Sequence, residues 1–290
     1  MNGIPFGGEA SHWTDYKSAK IIVFPIPYDD TATWQKGAAL GPEAIMEASA
    51  HVELYDIETD SEVHVQGIHT FQLPHLPGSP EGLARIMRQN VASFIKDGKF
   101  PVLLGGNHSI TPGAVQGIKD YFSDLTVLQL DAHADLRDSY NGSMFSHACV
   151  MARVKEVSPA VQVGIRSMGR EELNGLDTSR VFFARDILSE QGWMERVVEL
   201  LSFNVYVTID LDVFDPSIIP STGTPEPGGL DWYQITGLLR KVAQERHVVG
   251  FDVVELMPNQ YNKAPDFIAA RLVFQFLSYI FKGRAMSVER

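Results

Sequence analysis

The segment Thr126-Val127-Leu128-Gln129-Leu130 runs directly into Asp131-Ala132-His133-Ala134-Asp135. Its first half is rich in β-branched and aliphatic residues, which predicts a buried strand that ends where the polar residues begin. Residues two apart in an extended chain point to the same side, so Asp131, His133 and Asp135 can converge. A buried strand with converging polar side chains at its carboxyl end is typical of open α/β sheets, which bind their ligands at that edge.

Similar apolar runs recur along the chain and alternate with amphipathic helices. The predicted strands are residues 21–25, 102–104, 126–130, 160–165, 181–183, 205–209 and 248–254. Apolar residues at helical spacing predict two amphipathic helices. The first contains Leu83, Ile86, Met87, Val91, Phe94 and Ile95 and is followed by Gly98 as a stop signal, and the second contains Ile235, Leu238, Leu239 and Val242. Strands that alternate with helices form mainly parallel sheets covered on both faces. Because no repeat or Gly/Ser linker interrupts the pattern, the sequence predicts one three-layer α/β/α domain over residues 1–290.

The composition limits the classes of binding partner and the cellular location that we expect. With 24 basic and 36 acidic residues the net charge is −12, which argues against nucleic acid or an anionic membrane and is compatible with a cationic substrate. Residues 1–20 lack the apolar core of a signal peptide, and the longest apolar run, 272–281, is about half of what a membrane span needs. The single cysteine, Cys149, excludes a disulfide framework. We therefore expect a soluble cytoplasmic protein.

Metal-binding side chains follow three of the predicted strands. They are His108, Asp131, His133, Asp135, Asp210 and Asp212. One Asp-x-Asp alone is usually a solvated turn, but several buried carboxylates at one sheet edge need compensating cations. Four aspartates and two histidines exceed the needs of one tetrahedral ion, and oxygen-dominated ligation suits Mn²⁺ or a similar divalent ion. The sequence therefore predicts two divalent metal ions bridged by aspartates.

Five motifs in the same order make the sequence similar to the ureohydrolase (arginase/agmatinase) family, and most similar to agmatinases. They are Gly105-Gly106-Asn107-His108-Ser109, Asp131-Ala132-His133-Ala134-Asp135, Ser146-His147-Ala148, the segment from Asp210-Leu211-Asp212-Val213-Phe214-Asp215-Pro216 through Thr222-Gly223-Thr224-Pro225 to Gly229, and Asp252-Val253-Val254-Glu255-Leu256-Met257-Pro258. The resemblance spans roughly residues 20 to 282. It implies an α/β/α fold, a centre of two Mn²⁺ ions and a homo-oligomer, either a trimer or a hexamer.

The resemblance also implies roles for single residues. The six side chains named above take the metal-ligand positions, and Glu255 takes that of the carboxylate that holds the guanidinium. His147 corresponds to the proton-shuttling imidazole, and Thr224 to a threonine that lines the substrate pocket. Asn107 departs from the family's usual aspartate, which puts metal affinity or preference in question. Met46 stands where a family arginine is common.

The implied reaction is hydrolysis of agmatine to putrescine and urea, a step of polyamine biosynthesis. A guanidinium resists water at neutral pH, and a metal ion can lower the pKa of water from 15.7 to about 7. The loop 136–142 resembles agmatinases, and Asp138 or Glu226 could attract the second cation of agmatine, although either could equally be a solvated loop acid. Arg137 could offset Asp138 if it points inward. Arginine, 4-guanidinobutyrate and guanidine remain alternative substrates.

Two other classes of protein share some of these features. Metallophosphoesterases use similar pieces, but their Asp-x-His precedes Gly-Asn-His, whereas Gly106-Asn107-His108 comes first here. A non-catalytic family member acting as a binding partner would typically lack some ligands, and none is missing. Cys149 is interpreted as a packed core thiol, since no neighbour in the sequence would activate it.

Overall fold

A single eight-stranded parallel sheet organises the protein. The computed structural model describes residues 5–8 and 15–288, with side chains up to Lys282. Its strands are β1 (Ile21–Ile26), β2 (Ile68–Thr70), β3 (Phe100–Gly105), β4 (Leu125–Leu130), β5 (Ala160–Ile165), β6 (Val181–Phe183), β7 (Asn204–Asp210) and β8 (His247–Val254). They lie in the order β2-β1-β3-β8-β7-β4-β5-β6. Every strand pairing within the described ranges is parallel.

Helices cover both faces of the sheet. They are α1 (Gly41–Ser49), α2 (Pro80–Lys96), α3 (Thr111–Lys119), α4 (Val150–Lys155), α5 (Ala184–Ile187), α6 (Trp193–Glu199), α7 (Trp232–Glu245) and α8 (Ala264–Val288). The two faces of the sheet contribute to two separate apolar cores. In β3, Val102 and Leu104 face the core that contains α1, α7 and α8, whereas Leu103 faces the core that contains α2 and α3. The predicted three-layer α/β/α arrangement is confirmed.

The helix boundaries follow local signals. At the start of α2, the Ser79 side chain accepts a hydrogen bond from the Gly82 amide at 3.1 Å, and α2 ends just before Gly98, whose φ is +70°. A capping box opens α7, in which the side chains of Asp231 and Gln234 each accept a hydrogen bond from the other's amide. The predicted helices and strands are therefore present, extended by one or two residues at several ends.

Two elements differ from the sequence prediction. Strand β2 has only three residues and contains His69, so it shows neither alternation nor an apolar run. The run 272–281 belongs to α8, and its window Ala264–Lys282 is long and apolar enough to span a membrane by length and composition. However, 72% of that window is buried inside the structure, so α8 is a core helix.

The strand order brings the predicted site together. Strands β3, β8, β7 and β4 are consecutive neighbours in the middle of the sheet, although about 75 to 145 residues separate the β3–β4 pair from the β7–β8 pair in sequence. Their carboxyl ends carry, in that order, His108, Glu255, the Asp210–Asp212 pair and the Asp131–Asp135 cluster. All the predicted ligands therefore converge on one edge of the sheet.

Candidate metal centre and active-site pocket

His108 lies at the centre of three carboxylates. Its Nδ1 atom is 3.2 Å from oxygens of both Asp131 and Asp135 and 3.5 Å from Asp210. The turn that carries it follows β3, where an added Cβ at Gly106 would come within 2.2 Å of the Tyr28 carbonyl oxygen. Only glycine lets the chain pass this close to the backbone after β1.

A second cluster adjoins the first and shares Asp131 with it. The Nδ1 atom of His133 is 2.9 Å from Asp212 and 3.7 Å from Asp131. Asp131, His133 and Asp212 thus form one group that could hold a metal ion, and His108, Asp131 and Asp135 form another. Asp131 can serve both, because its carboxylate has an oxygen directed toward each histidine.

Burial and like charges strain these carboxylates when no cation is bound. Burial, together with the charge of Asp131, raises the pKa of Asp135 to about 6. Burial and the charges of Asp212 and Asp131 raise the pKa of Asp210 well above its usual value. Although burial opposes it, the contacts with His108 and His133 lower the pKa of Asp131. Divalent cations would relieve this repulsion.

The donor set fits two divalent ions. Among the described residues, His108 Nδ1 is a buried nitrogen without a hydrogen-bond partner, although three carboxylates surround it. A neutral imidazole nitrogen and carboxylate oxygens facing one point are the donors that Mn²⁺ and related ions accept. Asp210 lies beside the first group, within reach of His108, and Asp212 belongs to the second.

Buried polar side chains support these ligands from within the sheet. Gln129 donates a hydrogen bond to Asp131 at 2.7 Å, and Gln162 donates to Gln129 at 2.6 Å. Thr208 lies 2.8 Å from Nε2 of His108. The sequence analysis did not identify these residues. Their signal is spacing, because Gln129 and Thr208 are polar residues two positions before Asp131 and Asp210 on largely apolar strands.

Glu255 follows β8 in a left-handed backbone conformation, with φ +67°. Its amide donates a hydrogen bond to the Gly106 carbonyl at 2.7 Å, and its carboxylate accepts one from the His108 amide at 2.6 Å. Burial raises the pKa of this carboxyl to about 8 in spite of the His108 contact. Glu255 is thus fixed beside the metal ligands in the wall of the pocket, where a bound cationic guanidinium would favour its ionised form.

His147 lines the same pocket and contacts the loop after β1. Its amide donates a hydrogen bond to Thr31 Oγ1 at 3.2 Å, and its Nδ1 lies 3.3 Å from that hydroxyl. Asn107 Nδ2 donates to Thr31 as well, at 2.7 Å, and Asn107 Oδ1 accepts from Ser109. Asn107 therefore links the first ligand turn to His147 without facing the carboxylates. Burial and the nearby histidines lower the pKa of His147 to about 4.

The ligands form the floor of a cavity of about 280 Å³. Its walls include Trp34, Arg137, Tyr140, Glu172 and Thr224. Trp34 is 76% exposed, and the guanidinium of Arg137 lies 5.1 Å from the centre of the Tyr140 ring. Arg137 also pairs with Glu171, and its Nε is 3.8 Å from Glu172, so its charge is largely compensated.

Comparison with known proteins agrees with this geometry. The sequence model of the Arginase family matches residues 19–278. The chain belongs to this family. It is 38% identical to an N(1)-aminopropylagmatine ureohydrolase of Synechocystis over 93% of this chain and 92% of the relative. It is 35% identical to an agmatinase of Pyrococcus horikoshii over 90% and 92%. The crystal structure of agmatine ureohydrolase of Thermoplasma volcanium superimposes with a TM-score of 0.89 at 30% identity, over 99% of this chain and 97% of that one.

Family membership makes this ureohydrolase an enzyme that acts on amidine C–N bonds. It excludes the metallophosphoesterase alternative. A non-catalytic family member would typically lack some ligands, whereas all six are present at this site. Metal centres with two ions are a property of the family, and the Asp/His clusters described above are suited to them. Cys149 is buried, and burial raises the pKa of its thiol to about 11, which agrees with a packed, unreactive side chain.

The structure brings together nearly all the predicted site residues of this ureohydrolase, with one exception. Asp138 is absent from the walls of the cavity: its side chain is 98% exposed and lies 3.4 Å from Arg153 at a separate depression. The chain turns at Asp135, whose φ is +53°, and this turn directs Arg137 rather than Asp138 to the cavity. Glu226, the alternative acid, does lie near the ligands, 3.9 Å from His133 Nε2. Met46 is buried in α1, and nothing in the structure explains its difference from the family arginine.

Proposed function

We propose that this protein hydrolyses the guanidinium group of a linear guanidino amine without a carboxylate, releasing urea and a polyamine. Agmatine, which would give putrescine, and N(1)-aminopropylagmatine are the two candidate substrates. The observation that carries the proposal is the pair of Asp/His clusters sharing Asp131, with Glu255 fixed beside them. The names of the relatives support this class of substrate.

The proposal includes two divalent ions, with Mn²⁺ as the metal. The side chains that would hold them are His108, Asp131, His133, Asp135, Asp210 and Asp212. When bound, such ions lower the pKa of water and provide hydroxide near neutral pH, which an unassisted guanidinium hydrolysis lacks.

The remaining groups bind the cation and move the proton. Glu255 pairs with the guanidinium and holds its carbon over the ligands, because its carboxylate is already anchored by the His108 amide. His147 is neutral at pH 7, since its pKa is lowered to about 4. It can therefore take up a proton at the reacting centre and release it to the leaving amine.

Two observations bear on the choice of amine. Trp34 offers an exposed aromatic face at the cavity mouth, where an additional ammonium group could stack, as N(1)-aminopropylagmatine would allow. Glu226 lies close enough to His133 to attract a cation near the ligands. Among the described residues that line the cavity, Arg137 is the only arginine or lysine that could pair with an α-carboxylate, and Glu171 and Glu172 already compensate its charge.

The test is release of urea by the Mn²⁺-loaded enzyme from agmatine, N(1)-aminopropylagmatine, arginine, 4-guanidinobutyrate and guanidine. We expect kcat/KM for one of the first two to exceed that for arginine by at least about tenfold, equivalent to ~1.4 kcal/mol. Equal or faster turnover of arginine would refute the proposed substrate class and leave the family assignment intact. Activity confined to guanidine or 4-guanidinobutyrate would refute it in the same way.

A matched pair of variants tests how the cavity treats charge. Arg137→Gln removes a positive charge from the wall, so KM for a dicationic or tricationic substrate should fall several-fold. Asp138→Asn alters the neighbouring but fully exposed residue and should leave KM unchanged. If Arg137→Gln instead raises KM and Asp138→Asn does not, Arg137 binds an anionic group and the substrate carries a carboxylate.

We also propose a homo-oligomer, a trimer or hexamer, on the support of the family resemblance. Light scattering during size-exclusion chromatography gives the mass directly. A mass of 32.2 kDa, that of one chain, would contradict it.

A further inference from the structure

A connected set of buried polar groups lies directly behind His108. Nε2 of His108 lies 2.8 Å from Thr208 Oγ1, and Thr208 donates to Asp252 Oδ1 at 2.5 Å. Asp252 is fully buried, and its other oxygen accepts from Tyr206 at 2.7 Å and Thr111 at 2.8 Å. Neither the ligand set nor the proposed substrate contacts use these groups.

Counting protons fixes the direction of each hydrogen bond. A carboxylate only accepts, and it is the form of Asp252 that can accept from all three hydroxyl groups around it. Thr208 has one hydroxyl proton, and that proton is used on Asp252. Toward His108, Thr208 therefore presents a lone pair, so Nε2 must carry a hydrogen and donate it.

The hydrogen on Nε2 determines the state of the other ring nitrogen, Nδ1. In a neutral imidazole with a hydrogen on Nε2, the lone pair is on Nδ1. That atom lies 3.2–3.5 Å from the oxygens of Asp131, Asp135 and Asp210 and has no hydrogen-bond partner. The tautomer imposed by Thr208 thus directs a lone pair at the one point where those carboxylates meet.

We propose that Asp252, acting through Thr208, is a positioning residue that selects Nδ1 of His108 as the metal-binding atom. The inference rests on the metal centre of the proposed function and adds to it the means by which the chain presents this ligand. The opposite tautomer would place a hydrogen where the cation belongs, and a rotated ring would lose the Thr208 bond. Groups that orient a ligand histidine in this way typically change metal affinity by about 10- to 100-fold when removed.

The experiment measures Mn²⁺ affinity by equilibrium dialysis, without substrate. Thr208→Val keeps the shape and removes the hydroxyl, and it should weaken binding at one of two sites by about 10- to 100-fold. Thr208→Ser restores the hydroxyl and should bind within about threefold of the original chain, a small change on the scale of such effects. Thr126→Val is the matched control, because Thr126 is also a buried strand threonine but pairs with Ser202 at the other end of the sheet. It should leave Mn²⁺ affinity unchanged.

Two further measurements do not depend on the folding of Thr208→Val. Asp252→Asn weakens the acceptor behind Thr208, so this single substitution should reduce Mn²⁺ affinity. In the chain loaded with diamagnetic Zn²⁺, nitrogen NMR of the histidine rings should show the His108 hydrogen on Nε2. A hydrogen on Nδ1, or a folded Thr208→Val variant with unchanged affinity, would overturn the inference. Failure of the original chain to bind Mn²⁺ would instead overturn the metal centre of the proposed function.

Discussion

Single residues in unusual conformations mark the site. Four described non-glycine residues have positive φ, and two of them, Asp135 and Glu255, are a predicted ligand and the predicted guanidinium carboxylate. Such conformations cost roughly 1–3 kcal/mol each and persist where the surroundings hold them. For Glu255 the restraint is a pair of hydrogen bonds, to the Gly106 carbonyl and from the His108 amide. At Asp135 and Glu255 the positive φ lets a residue that follows a strand turn back toward the carboxyl end of that strand.

His147 differs from the ligands at this scale, because it approaches the pocket from another loop and contacts Thr31. His147→Asn should therefore retain both metal ions while kcat falls by roughly 10²- to 10⁴-fold, the usual contribution of a proton-transferring group. Metal analysis of the purified variant together with steady-state kinetics checks this. Loss of metal from the variant would show that His147 is itself a ligand.

The lowered pKa of His147 has a consequence for stability. Its pKa is about 4 in the folded chain against 6.5 ordinarily, so between these values the unfolded chain takes up a proton that the folded chain refuses. Stability from this position is therefore lost as pH falls from about 6.5 to 4, by up to ~3 kcal/mol. Asparagine does not titrate, so over this pH range the free energy of unfolding should fall less for His147→Asn than for the original chain. Denaturant unfolding of both metal-free proteins at pH 7 and 5 measures the difference, and an equal change in both would contradict the prediction.

Among the elements, α3 sets the position of the first ligand turn. It begins three residues after His108 and packs on α2 through glycines. A Cβ at Gly113 would lie 2.2 Å from the Ala84 carbonyl oxygen, and one at Gly117 would lie 2.7 Å from that of Arg88. These glycines are four apart, so they lie on one face of α3 and bring the two helix backbones into direct contact.

Gly113→Ala should therefore destabilise the protein by about 1–3 kcal/mol, because the added methyl group forces the two helices apart. Gly78→Ala is the control, since a Cβ at Gly78 would meet no atom within 4 Å. We expect the control to stay within about 0.5 kcal/mol of the original chain. Urea unfolding midpoints give both values, and equal midpoints for the two variants would show that α2 and α3 can separate at no cost.

At the scale of the whole molecule, the site concentrates negative charge in a protein that is already acidic. The net charge is −12, and the carboxylates of the centre are buried at the middle of the sheet. The apolar cores and the helices on both faces must offset their repulsion when no cation is present. Metal binding and folding stability should therefore be linked.

Saturation with Mn²⁺ should raise the free energy of unfolding, by about 2.7 kcal/mol for a single site at 100 times its dissociation constant. Asp210→Asn should change the stability of the metal-free chain and its stabilisation by Mn²⁺ in opposite directions. The substitution removes a predicted metal ligand, but it also removes a carboxylate that Asp212 and Asp131 repel. The metal-free variant should be more stable than the original chain, and it should gain less from Mn²⁺. Thermal unfolding with and without chelator tests this, with the exposed Asp138→Asn as control. A metal-free Asp210→Asn that is less stable than the original chain would contradict the prediction.

The local sequence determined where most of the strands and helices lie and which residue types are available to bind metal. The strands at 160–165 and 181–183 match prediction to the residue, because these short segments are rich in β-branched or aromatic residues and have no competing helical pattern. Asp131 and Asp135 do group together as predicted, although both follow β4 and Asp135 has a left-handed φ of +53°, so extended-strand spacing is not the whole reason. Three-residue β2 escaped detection because its pairing with β1, and not its own composition, makes it a strand.

Only the tertiary structure decided how those elements meet. The order β3-β8-β7-β4, in which β7 and β8 lie between the consecutive strands β3 and β4, sets which ligands share Asp131 and places Glu255 between them. The loop after Asp135 illustrates the limit: Arg137 and Asp138 are adjacent in sequence, yet one lines the cavity and the other faces solvent. A left-handed turn at Asp135 and the carboxylates of Glu171 and Glu172 fix that choice, and those partners lie more than 30 residues away. Side-chain direction in a loop depends on such distant contacts, which local sequence does not encode.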